Sequence, residues 1–103
     1  MRKIIGDLMY DTDKATYIAR KKVCIEGRYR CRYEELYKTN NGRWFIHSYN
    51  HDFEKTEEAV DKSDPKWEPN IFPVKEDDVI GWLSKHVFIK ELKTHFNIEL
   101  KEA

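Results

Sequence analysis

The chain has 103 residues, of which 40% are hydrophobic and 37% charged, with 19 basic and 19 acidic side chains that leave no net charge. That length implies a single domain over 1–103 and excludes a two-domain enzyme, while fourteen aromatics in so charged a chain imply a small folded core and exclude disorder throughout. The cancelling charges exclude the global positive field of most stand-alone nucleic-acid binders, so any such contact has to be local.

No apolar run approaches the roughly eighteen residues of a membrane span. Met1-Arg2-Lys3-Ile4-Ile5-Gly6-Asp7 breaks off before a signal-peptide apolar region develops, so the chain reads as cytoplasmic with no membrane partner. Cys24 and Cys31 are too few for a disulfide scaffold, and a reducing cytosol predicts that both stay thiols.

In chain order, β-favouring residues flank Gly6-Asp7 between Arg2 and Tyr10, which predicts a first strand pair. Asp11-Thr12-Asp13 offers capping oxygens, and Ala15, Ile18, Ala19 and Lys22 follow at three- and four-residue spacing. This pattern predicts a helix over 12–22. Between positions 20 and 32 six cations face the single Glu26, with tyrosines threaded among them.

Two β-prone runs then meet at Asn41-Gly42, which predicts a hairpin over 33–49. Strand parity places Tyr33, Tyr37, Trp44 and Ile46 on one face and Leu36, Phe45 and Tyr49 on the other, so both faces carry large apolar groups. Residues 50–70 are acidic, with a short helix expected at Phe53 to Val60 and then a loop. Asn70 to Val74 reads as a short strand. Acidic Glu76, Asp77 and Asp78 suit the N-terminus of a helix carrying Val79, Trp82, Leu83 and His86, and Phe88, Leu92 and Phe96 predict a second helix ending near Asn97.

The chemistry-bearing residues sort into four groups. Cys24, Cys31, His47 and His51 stand in zinc-finger order, but six residues separate the cysteines where a finger needs two to four, so no metal and no cofactor is expected. Gly6, Gly27, Gly42 and Gly81 are isolated, so no phosphate loop is present. The pairs Glu34-Glu35, Glu57-Glu58 and Asp77-Asp78 read as solvated surface rather than as catalytic carboxylates. The basic block, in contrast, combines guanidinium groups that grip phosphates with tyrosines that stack on unpaired bases, a pattern suited to RNA, single strands or an acidic protein surface. Its candidate contacts are Arg20, Lys21, Lys22, Arg28, Tyr29, Arg30, Arg32 and Tyr33, joined by Arg43 and Trp44 of the hairpin. The acidic stretch from Asp52 to Asp64, with Asp77 and Asp78, could imitate nucleic-acid phosphate toward a basic groove, but its favoured reading is a helix-dipole and solubility role.

Several blocks in order carry a resemblance: Lys3-Ile4-Ile5, Tyr10-Asp11-Thr12-Asp13-Lys14-Ala15, Glu35-Leu36-Tyr37-Lys38-Thr39, Gly42-Arg43-Trp44-Phe45-Ile46, and Ile71-Phe72-Pro73 leading to Trp82. The sequence resembles a loose family of small phage and mobile-element accessory proteins. It departs from that pattern in having Ser48-Tyr49-Asn50-His51-Asp52 where relatives carry a glycine-rich stretch, and in its basic 20–32 block. The resemblance implies a non-catalytic inhibitor of a type II CRISPR nuclease that binds the nuclease or its guide RNA in the bacterial cytoplasm. An RNA- or single-strand-binding accessory module without a protein partner is the alternative, followed by a small metal or thiol enzyme. The expected fold is α+β: a small antiparallel sheet with a central 33–49 hairpin, packed against an N-terminal helix and one or two C-terminal helices.

Overall fold

In the computed structural model, which describes residues 1–25, 30–50 and 69–103, six strands precede two helices. The arrangement is α+β, as the sequence predicts. β1 (Arg2–Ile5) and β2 (Leu8–Asp11) form a two-stranded hairpin with Ile5 opposite Leu8, and Gly6 takes the positive φ of 62° that its turn requires. A four-stranded antiparallel sheet follows in the order β3 (Thr16–Ile25), β4 (Arg30–Lys38), β5 (Trp44–Asn50) and β6 (Asn70–Val74). Helices α1 (Glu76–Lys85) and α2 (Ile89–Phe96) close the chain, with Asn97 ending α2 in the left-handed conformation. No helix among the described residues is long and apolar enough to cross a membrane.

The helix expected over 12–22 is replaced by a turn and the longest strand of the sheet. Asp11 caps the turn rather than a helix: its side chain accepts from the Asp13 N–H at 2.9 Å and its carbonyl from the Ala15 N–H at 3.0 Å. From Thr16 onward nine of the ten residues of β3 pair with β4, and this ladder outweighs the helical spacing of a few small apolar residues. Register shifts between Tyr17 and Ala19, so Ile18 is the extra residue of a bulge. Tyr17 stays beside Tyr37, whereas Ile18 and Ala19 both join the cluster beneath the helices.

The 33–49 hairpin forms around the turn at 39–43, where Gly42 adopts φ 83°, but its faces differ from the parity expected. Lys38 pairs with Trp44, so five residues intervene and Tyr37 lies opposite Phe45. One face therefore carries Leu36, Trp44 and Ile46, and the other carries Tyr33, Tyr37, Phe45 and Tyr49. The helices cover the first, burying Leu36, Val79, Leu83 and Leu92 essentially completely. Trp44 stacks on Phe96 at 5.4 Å, and the Trp82 indole N–H donates to Glu34 at 3.0 Å. The β1–β2 hairpin covers part of the second face, where Tyr10 meets Phe45 edge-on at 5.5 Å over Ile71. Lys3 holds it to β6 through the Asn70 side chain at 2.5 Å. The acidic stretch 52–64 and the helix expected at Phe53 to Val60 lie outside the described residues.

Candidate nucleic-acid interface

Beyond the hairpin's cover, the second face turns polar. Register places Arg20 of β3, Glu35 of β4 and His47 of β5 on one rung, and the neighbouring rung pairs Lys22 with Tyr33 and Tyr33 with Tyr49. Alternation alone puts all of these side chains on the same side. The Glu35 carboxylate is the hub: it accepts from the Tyr37 hydroxyl at 3.2 Å, the Tyr49 hydroxyl at 3.1 Å and His47 Nδ1 at 3.2 Å. Because an ionised carboxylate only accepts, Nδ1 of His47 carries a hydrogen, and in the neutral form of the ring Nε2 is then the acceptor. Glu35 and His47 keep 15% and 16% of their side-chain surface, so the hub is sheltered yet reachable.

The rings form a row. His47 lies 4.9 Å from Tyr49, Tyr49 lies 5.5 Å from Tyr33, and the Arg20 guanidinium sits 4.4 Å above the Tyr33 ring. Burial and the Glu35 charge push the Tyr37 hydroxyl up to about 12. Burial also raises Tyr49, against the lowering effect of its hydrogen bond with Arg20, and that same bond holds the exposed Arg20 more firmly charged. Tyr37 and Tyr49 thus carry neutral hydroxyls at physiological pH, and the row offers a cation, aromatic surfaces and hydroxyl groups on a single sheet face.

The sequence-predicted contacts distribute over three places. Arg20, Lys22 and Tyr33 come together on this face. Lys21 and Arg32 alternate to the helix side, where Arg32 pairs with Glu34 at 3.4 Å. Arg43 and Trp44 lie at the far end of the hairpin, lining a cleft of about 510 Å³ with Lys38 and Lys75. There Trp44 is a core residue, only 5% exposed. Arg28 and Tyr29 lie outside the described residues, and Arg30 is placed by its backbone alone, at the start of β4.

Two expectations are corrected. Cys24 and Cys31 are not free thiols; as register partners across β3 and β4 they form a disulfide. Glu34 and Glu35 are not solvated surface: they diverge as neighbours on a strand must, and each is part-buried and hydrogen bonded on its own face. The site residues that the sequence alone does not assign to this interface are Glu35, His47, Tyr37 and Tyr49. Their signal is the alternation Tyr33-x-Glu35-x-Tyr37 set against Phe45-x-His47-x-Tyr49, which converges once the turn is counted as five residues. Among the described residues no group of three or more His, Cys, Asp or Glu side chains is placed to hold a metal ion. The chain matches no family model, no curated protein and no solved structure.

Proposed function

We propose that the protein is a non-catalytic inhibitor that engages the guide RNA of a type II CRISPR nuclease through the β3–β4–β5 face bearing Arg20, Lys22, Tyr33 and Tyr49. The observation that carries the reading is the Arg20 guanidinium over Tyr33, with Tyr49 alongside, on a sheet face. Unpaired bases stack on such rings and on guanidinium planes, whereas a duplex hides its bases, so the ligand chemistry favoured is single-stranded RNA. Glu35 supports a binding role over a catalytic one, because its oxygens are engaged by three donors that fix neighbouring side chains. The nuclease as the wider partner rests on the resemblance of the sequence to mobile-element accessory proteins.

Co-purification of the tagged protein from cells expressing the nuclease and its guide, with and without ribonuclease treatment, tests this. Recovery of nuclease and guide together, lost on ribonuclease treatment and lost in Arg20→Glu, is the expected result. Retention of the nuclease after the RNA is removed replaces RNA by protein as the contact. Recovery of RNA without nuclease removes the inhibitor role, and recovery of neither overturns the proposal. Binding should also weaken steeply with added salt, since phosphate contacts release counterions.

A further inference from the structure

We infer that the rung Arg20–Glu35–His47 selects RNA over DNA, with His47 Nε2 accepting a hydrogen bond from a ribose 2′-hydroxyl while Arg20 holds the adjoining phosphate. The inference rests on the reading of this face as an RNA surface and adds what the face discriminates.

The tautomer carries the argument. Glu35 accepts from Nδ1 at 3.2 Å, so in the neutral ring the hydrogen lies on Nδ1 and Nε2 is left as the acceptor. A free histidine on a surface exchanges between tautomers and offers a donor as readily as an acceptor, whereas the Glu35 carboxylate favours one neutral tautomer here. An acceptor of fixed direction is what a 2′-hydroxyl donor requires, and deoxyribose has nothing to give it.

Placement agrees. Arg20 and His47 are register partners of the same Glu35, one strand away on either side, so their backbones stand roughly 10 Å apart at ordinary strand spacing. The long Arg20 side chain leans along the face to sit over the Tyr33 ring at 4.4 Å. Tyr49, in tilted ring contact with His47 at 4.9 Å and itself hydrogen bonded to Glu35, gives the imidazole a second neighbour. Glu35 acts through His47 and is a positioning residue; His47 is the group that meets the sugar.

The test compares three homopolymers that differ only at the sugar: oligouridylate, oligodeoxyuridylate and 2′-O-methyl oligouridylate, each of about twelve nucleotides, binding to the intact wild-type protein. One neutral hydrogen bond corresponds to about five- to tenfold in affinity. The ribose form should therefore bind about five- to tenfold tighter than both others, whose affinities should match. His47→Phe keeps a ring but removes the acceptor, and it should bring the ribose-to-deoxyribose affinity ratio to about one. Glu35→Gln frees the tautomer and should shrink the ribose-to-deoxyribose ratio, a readout that a purely structural role leaves unchanged. Equal binding of the wild type to all three oligomers overturns the inference and leaves the single-strand reading standing. A preference that persists in His47→Phe assigns the selection to another residue and also overturns it. Binding of none of the three removes the nucleic-acid reading of the face and the inference with it. The wild-type comparison needs no variant, so it decides the question even where a substituted protein folds poorly.

Discussion

The two faces of the β3–β6 sheet are made from the same strands, yet they are built on opposite principles. Towards the helices, Leu36, Val79, Leu83 and Leu92 are shut away from water, and Glu34 is tied to Trp82 and Arg32. Towards the other side, the part under the β1–β2 hairpin is apolar, and beyond it a carboxylate, a histidine, three tyrosines and an arginine contact one another. Burying apolar area stabilises a fold whatever its function, whereas a part-buried polar network contributes little net stability but fixes directions. The helix side therefore holds the molecule together, and the tyrosine side is the one free to be specialised for a ligand.

The sharpest way to break this contrast is to truncate neighbours on β4. Leu36→Ala should cost about 2–5 kcal/mol, because it opens a cavity beneath both helices at a residue with no exposed surface. At denaturant concentrations where the variant is still folded, its RNA affinity should be unchanged. Glu35→Gln should do the reverse, changing the midpoint of urea unfolding far less while altering ribose preference. If Leu36→Ala weakens RNA binding in the folded state, or Glu35→Gln destabilises as much as Leu36→Ala, the division of labour between the faces fails.

Reduction of the Cys24–Cys31 bridge is the next largest effect. It belongs to the polar face, on the third of three successive rungs that begin with Arg20–Glu35 and Lys22–Tyr33. With a sequence separation of 7, the closed loop is short, and chain entropy gives about 2–3 kcal/mol of stabilisation. Calorimetry with and without a reducing agent should therefore show Tm falling by roughly 10–20 °C for a domain of this size. An unchanged Tm, with two alkylatable thiols in the protein as purified, would show that the bridge is not formed in solution.

How much of this is legible without the structure depends on how far apart in sequence the partners lie. The two helices can be read because Val79 with Leu83, and Leu92 with Phe96, repeat locally, and because Asn97 can adopt the left-handed stop. The hairpin can be read from Asn41-Gly42. The mistaken helix over 12–22 has a physical origin in the bulge: by sending Ile18 and Ala19 to the same side, it breaks the alternation of β3 and imitates helical spacing. The face assignment fails on the length of one turn, since an extra residue there exchanges the faces of everything beyond it. Glu35 and His47 are twelve residues apart and meet only through that register, so the hub cannot be found without it. Arg20, Lys22 and Tyr33 are visible as part of a basic, aromatic block, but not the fact that Lys21 and Arg32 turn away.

The faintest difference between the faces should appear in their response to pH, and it has opposite signs. On the helix side, burial and then the nearby Lys21 and Lys85 lower the pKa of His86, against the pull of Glu34. As pH falls through the ordinary histidine value of about 6.5, the unfolded chain takes up this proton before the folded one does, so stability present above that value is lost on acidification. On the tyrosine side, Tyr37 titrates at about 12 in the fold, raised first by burial and then by Glu35. Between the ordinary tyrosine value of about 10 and that point the unfolded chain releases its proton first, so stability present below about 10 is lost as pH rises. Urea midpoints measured from about pH 5 to 11 should thus fall at both ends. His86→Phe should flatten the acid limb alone, keeping the ring that meets Trp82 at 4.9 Å, and Tyr37→Phe should reduce the alkaline limb alone, leaving the part due to Tyr49. If either substitution moves the opposite limb, the two faces are electrostatically coupled through the sheet and their separation is not as complete as their packing.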